Sequence, residues 1–188
     1  MTDLESLRHL LLTRSVTRGD FTLSSGRKST FYIDARRTTM SGEGLTLIGS
    51  LGLERFAARG WAPRAVGGLT LGADPVAYAI ATAARSRRPP PPAPALDAFT
   101  VRKQAKTHGT GRRIEGCFES GLPVVVVEDV ITTGGSAQEA IDALSAEGAR
   151  ILGVFAVVDR EEGGRDVLER AGHQVETLLT ATQLGLKQ

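Results

Sequence analysis

VVVVEDVITTGGS, residues 124–136, is the stretch from which the rest of the chain can be read. Val124–Val127 are too apolar and too β-branched for a surface. They predict a strand buried on both faces, as in a parallel sheet with helices on either side. Glu128 and Asp129 follow at once, then Val130 and Ile131, then Thr132, Thr133, Gly134, Gly135 and Ser136. After them Ala137, Ala140, Ile141 and Leu144 recur at helical spacing. The order is buried strand, acidic pair, small polar loop, helix. Such a loop turns backbone N–H groups and hydroxyls inward at a positive helix end, which makes a cradle for phosphate. Carboxylates beside the cradle would repel phosphate. They make sense as acceptors for sugar hydroxyls, or as holders of Mg²⁺ through water. The bland alternative is an ordinary strand–turn–helix, which the paired acids and the run of hydroxyl and glycine positions disfavour. The spacing is not G-x-x-x-x-G-K-S/T, so a nucleoside triphosphatase loop is not supported.

Length and composition set the bounds. The chain has 188 residues, enough for one domain with a full core, with a hydrophobic fraction of 41% and a charged fraction of 23%. A net charge of only +2 argues against coating nucleic acid. Cys117 is the single cysteine, which excludes an intrachain disulfide and a cysteine-built zinc site. The opening MTDLESLRHLLLTRS carries early acids and no long apolar run, unlike a signal peptide or a membrane span. A cytoplasmic enzyme with no membrane partner is the expectation.

Working outward, Thr2 with Glu5 is a capping box, and Leu4, Leu7, Leu10 and Leu11 predict an amphipathic helix over 3–15. Residues 20–34, DFTLSSGRKSTFYID, read as a hairpin turning at Ser25-Gly26, with Lys28 just past the turn. Ser41 predicts the start of a helix running to about Arg59, and Gly60 its stop. Residues 64–69 read as the first strand of the main sheet, followed by a loop to Gly72 and a helix with Pro75 in its first turn. The prolines at 89–94 exclude helix and central strand and predict a stiff connector. Asp97–Val101 reads as a strand. Beyond it Arg102, Lys103, Lys106, His108, Arg112 and Arg113 place six basic groups among twelve positions that also hold two glycines. Most such runs are solvated surface. Nucleic-acid binding is disfavoured because no aromatic interleaves for base stacking. The reading preferred is a lid closing over a polyanion, where cations stabilise developing charge once water is excluded. Residues 151–159 are another buried strand with Arg160 at its end. A short helix to about Ala171 and a β-prone run, Val175–Leu179, complete the chain.

Three of these motifs carry a family resemblance. Two acids, two residues, then T-x-G-x-S resembles the phosphoribosyl pyrophosphate loop of type I phosphoribosyltransferases, in Glu128, Asp129, Thr132, Gly134 and Ser136. R-K-x-x-K-x-H-G, in Arg102, Lys103, Lys106, His108 and Gly109, resembles the catalytic loop of the orotate phosphoribosyltransferases. TLSSGRKS looks like the hood of the same enzymes, whose lysine contacts bound substrate. The resemblance implies an α/β type I phosphoribosyltransferase fold: one domain, a mainly parallel sheet of about five strands flanked by helices, a helix–hairpin hood over about 1–40, a core over about 41–165 and a tail over 166–188. It implies transfer of ribose 5-phosphate from phosphoribosyl pyrophosphate to orotate, with Mg²⁺ held through ligand and water rather than by direct protein ligands. Glu128, Asp129, Lys106 and His108 would be catalytic. Arg102, Lys103 and the run Glu128–Ser136 would bind phosphoribosyl pyrophosphate; Lys28, Tyr32, Ile33, Thr132 and Arg160 would bind orotate. It also implies a homodimer in which each lid serves the neighbouring site. Two departures stand out. Leu71 occupies the place where relatives often carry a lysine, and Ile33 replaces one aromatic of the base-facing pair. Two other readings remain: another base specificity, which the K-x-H-G part of the lid disfavours, and a regulatory module that kept the loop without catalysis, which retention of the lid disfavours.

Overall fold

Local signals set most element ends. The computed structural model describes residues 2–22, 28–86, 95–104 and 113–187. Helix α1 (Asp3–Arg14) starts at the expected capping box, with Thr2 and Glu5 each accepting from the other's backbone. It buries Leu7, Leu10 and Leu11. The hairpin is β1 (Val16–Thr22) against β2 (Lys28–Ile33), antiparallel. It begins earlier than position 20, and its predicted turn at Ser25-Gly26 lies outside the described residues. A one-turn helix, α2 (Arg36–Thr39), follows and was not foreseen. Helix α3 (Gly42–Arg59) has Ser41 as its cap, accepting from Gly44 N–H, and ends at Gly60 with φ 67°. That left-handed conformation suits glycine.

The main sheet is β3 (Ala65–Leu69), β4 (Asp97–Val101), β5 (Ile114–Gly116), β6 (Pro123–Ile131), β7 (Arg150–Asp159) and β8 (Val175–Thr180), in the order β5-β4-β3-β6-β7-β8. Neighbours from β4 to β8 run parallel, and β5 is an antiparallel edge on β4. The sheet is therefore the mainly parallel one expected, with one strand more than the expected five. β5 went unread because three residues carrying one apolar side chain give no periodicity; it pairs because β4 offers it an open edge. Helices α4 (Ala73–Ser86), α5 (Gly135–Ala146) and α6 (Gly164–Arg170) complete the element list. The proline run at 89–94 lies outside the described residues.

The four valines of β6 explain why it is central. All are fully buried. Val125 and Val127 pack into the apolar cluster with Leu7, Leu11, Ile48, Phe56 and Ile80, under α1, α3 and α4. Val124 and Val126 pack into the cluster with Ala140, Ile141, Leu144 and Leu168, under α5 and α6. Alternating side chains thus serve two helix layers. Each buried valine contributes on the order of 1.5–3 kcal/mol relative to exposure. Glu128 and Asp129 lie in the last four residues of β6, near its carboxyl edge, where open α/β sheets bind ligands.

Candidate active site

The carboxyl ends of β3, β6 and β7 and the inner side of the hairpin enclose a cavity of about 940 Å³. Its walls include Tyr32, Ile33, Asp34 and Arg36 from the hood, Thr70–Gly72 after β3, Lys103 after β4, Glu128–Val130, Thr132, Thr133 and Ser136 from the central stretch, and Arg160 and Glu162 after β7. A smaller recess of about 40 Å³ is formed by Glu128 and the run Val130–Ala137. The run expected to cradle phosphate lines it, at the N-terminus of the twelve-residue helix α5.

Glycines shape that cradle. Gly134 caps α5 with φ 83°. Gly164 backs it from α6: its N–H donates to Thr132 O at 3.0 Å, and an added Cβ there would stand 2.6 Å from Gly134 N. Sequence reading missed this support; the signal that could have found it is the pair Gly163-Gly164.

The two acids differ in surroundings. Glu128 is buried, and its Oε1 has no hydrogen-bond partner among the described residues. Burial pushes its carboxyl up to about 8, and the neighbouring charge of Asp129 adds to the rise. Asp129 is also raised by burial, while the N–H of Val130, at 2.8 Å from Oδ1, pulls the other way. Asp129 rests on the backbone of Gly72, where an added Cβ would lie 2.5 Å from Oδ1.

Arg160, after β7 and on the same cavity wall, is only 4% exposed, and its N–H donates to Ile131 O at 2.9 Å. Its guanidinium sits 4.9 Å over the ring of Phe31 and pairs with Glu162 at 2.8 Å from Nε. That ion pair is not aligned as a hydrogen bond, and Nη2 is buried without a hydrogen-bond partner among the described residues. The turn beneath is built by Asp159, which accepts from Glu161 N–H at 2.7 Å and from Arg165 Nε at 3.1 Å.

Of the expected site residues, the structure brings together Tyr32, Ile33, Lys103, Glu128, Asp129, Val130, Thr132, Thr133, Ser136 and Arg160 around the main cavity. Ile131, Gly134 and Gly135 line the adjoining recess. Lys28 is not among them. Its Nζ donates to Thr22 Oγ1 at 2.9 Å across the hairpin, and it lines a neighbouring cavity of about 670 Å³ that shares Phe21 and Glu162 with the first. Arg102 pairs with Glu115 at 3.1 Å at the foot of the predicted lid. Lys106, His108 and Gly109 lie outside the described residues. Leu71 is 56% exposed on the cavity wall, which puts the departing residue in contact with the site. Asp34 and Arg36, joined by a 2.8 Å ion pair, were missed.

A model of the phosphoribosyl transferase domain matches residues 63–174. An orotate phosphoribosyltransferase of Mycobacterium avium is 45% identical over 98% of this chain and 97% of its own. The chain belongs to the orotate phosphoribosyltransferase family. Within that family, the enzyme of Aquifex aeolicus is 43% identical, over 98% of both chains. A solved structure of the Mycobacterium tuberculosis enzyme with 5-phospho-α-D-ribosyl 1-diphosphate superposes with a TM-score of 0.80 at 41% identity, over 98% of this chain and 100% of that one.

Proposed function

We propose that this chain transfers ribose 5-phosphate from phosphoribosyl pyrophosphate to orotate, giving orotidine 5′-monophosphate and pyrophosphate. The observation that carries this reading is a cavity whose walls bring together the Thr132–Ser136 loop at a helix N-terminus, a buried guanidinium, a buried Glu128 and a half-buried Asp129. Buried polar groups without protein partners cost stability unless a ligand meets them. Glu128 Oε1 and Arg160 Nη2 are two such groups, on the walls of that one cavity.

In this reading Thr132–Ser136 hold the 5-phosphate. Glu128 and Asp129 accept from the ribose 2- and 3-hydroxyls and orient the ring as C1 gains positive character. The C1–oxygen bond to pyrophosphate breaks, its electron pair leaving with pyrophosphate, and a bond forms from C1 to a ring nitrogen of orotate, whose proton passes to solvent or to the departing pyrophosphate. Lys103, Lys106 and His108 neutralise the departing charge, and His108 can donate a proton. Tyr32, Ile33, Thr132 and Arg160 fix the base. Lys28 needs a side-chain rotation away from Thr22 to join them.

The site fits Mg²⁺ held by the donor's oxygens. Among the described residues no cluster of three or more metal-ligating side chains forms, while Glu128 offers a free buried oxygen beside Asp129. These two acids would hold the ion through sugar hydroxyls and water, and it would offset charge on the pyrophosphate. The lid is proposed to act across a homodimer. No helix of the described residues is long and apolar enough to cross a membrane.

The test is orotate consumption followed at its ultraviolet band. Loss of absorbance that needs both phosphoribosyl pyrophosphate and Mg²⁺ is expected; no loss with both present overturns the reading. Equal or better use of a purine base would favour the other specificity instead.

A further inference from the structure

Among the described residues, four acids line the main cavity, Asp34, Glu128, Asp129 and Glu162, against three cations, Arg36, Lys103 and Arg160. Arg160 is committed over Phe31 and beside Glu162. Lys103 stands at the foot of the basic loop. The wall made by Thr70, Leu71 and Gly72 carries no cation, yet it adjoins Asp129, whose carboxylate rests on Gly72. A pyrophosphate leaving a sugar held by Asp129 has this wall as one of its boundaries.

Arg36 faces that place. It stands at the start of α2, directly after the hood strand, and lines the same cavity as Gly72 and Asp129. Its charge and that of Asp129 act on one another. Asp34 Oδ1 takes Nε at 2.8 Å, which fixes the plane of the guanidinium. Among the described residues, neither of its Nη groups has a hydrogen-bond partner. The side chain is 45% exposed, so it is reachable from the cavity. A planar fork held at its base by one carboxylate, with its paired donors free, suits a phosphate oxygen pair.

We propose that Arg36 binds the pyrophosphate portion of the donor, with Asp34 orienting its guanidinium. The inference rests on the transfer reaction proposed above and adds a residue to it. It gives the Leu71 wall its cation from the hood instead of from the loop itself. It also makes closure of the hood part of donor binding, since Arg36 follows Ile33 by only three residues.

Calorimetric titration with magnesium pyrophosphate, and separately with orotate, tests it without relying on turnover. R36Q keeps the stem and a donor at the place of Nε toward Asp34, but removes the charge and both Nη groups. Pyrophosphate affinity is expected to fall about ten- to a hundredfold, the usual effect of losing hydrogen bonds to a charged group, with orotate affinity within about twofold of the original. R36K keeps the charge but loses the planar fork, and is expected to lose about three- to tenfold in pyrophosphate affinity, less than R36Q. Unchanged pyrophosphate affinity in folded R36Q, or equal losses for both ligands, overturns the proposal. Should R36Q fail to fold, R36K decides: a selective loss of pyrophosphate affinity is expected, and an unchanged affinity, or equal losses for both ligands, overturns the proposal. An unmodified protein that consumes no orotate would instead sink the transfer reading, which keeps the two failures apart.

Discussion

The carboxylate of Asp129 lies on the backbone of Gly72, so close that a methyl group on Gly72 would stand 2.5 Å from Oδ1. The same oxygen accepts from Val130 N–H at 2.8 Å, so the carboxyl is pinned from two sides. Gly72→Ala must therefore push the acid off its position. Crowding of this kind costs about 1–3 kcal/mol. We expect a measurable drop in melting temperature and a loss of turnover of about tenfold or more, since a small misplacement of a positioning group is costly. Wild-type turnover in a Gly72→Ala variant would show that Asp129 has slack at this contact.

Glu128 gives the ligand-free protein a characteristic pH response. Its folded carboxyl is held up to about 8, above the ordinary 4.5. From about pH 4.5 to 8 the folded state therefore keeps a proton that the unfolded chain has released. Stability from this group is full at the acid end and declines as pH rises through that window. Asp129, also raised, acts in the same sense, while the lowered Asp34 and Glu161 act oppositely at lower pH. Comparison with Glu128→Gln isolates the one group. The variant should gain in melting temperature relative to the unmodified protein as pH goes from 5 to 8; a constant difference would mean that Glu128 titrates normally.

Arg160→Ala should weaken orotate more than phosphoribosyl pyrophosphate. The guanidinium is buried with a free Nη2, which suits an anionic planar base. A loss of about ten- to a hundredfold for orotate is expected. Separate calorimetric titrations check it, and equal losses for the two ligands would make Arg160 a packing residue of the Phe31 wall.

The lid should work in trans. Lys106→Ala and Asp129→Asn chains are each expected to lose about a hundredfold or more in turnover. Mixed with subunit exchange, about half the dimers are heterodimers, each with one intact site if the lid crosses. Roughly a quarter of the original activity should then return, provided the lid acts on the transition state. With exchange verified by mass, no recovery would assign the lid to its own chain.

What the sequence made legible was local. Val124–Val127, the Thr2–Glu5 box, Ser41 with Gly60, and the apolar face of Ala137, Ala140, Ile141 and Leu144 each announce an element within a few residues, and the structure has each one. The cradle and its acids were legible for the same reason, being contiguous. Arg36 and Asp34 were not, because nothing near them in sequence says that a hairpin folds them back over β3 and β6. Gly164 meets Gly134 across thirty residues, a contact only the packing of α6 creates. Lys28 was read from its motif, but the Thr22 hydroxyl opposite it in the hairpin register was not.

The foot of the basic loop has a consequence for protein engineering. Arg102 N–H donates to Arg113 O at 2.8 Å, Arg113 pairs with Glu139 of α5 at 2.6 Å, and β4 and β5 run side by side. The chain thus departs and returns at neighbouring points of one ladder, whatever its length between them. Closing a longer segment over such a fixed gap costs only about 0.6 kcal/mol per doubling. The ladder between Arg102 and Arg113 is therefore a graft point: a tag, a reporter peptide or a redesigned recognition segment can be spliced between these two residues with the sheet left as it is, at the cost of the proposed roles of Lys106 and His108.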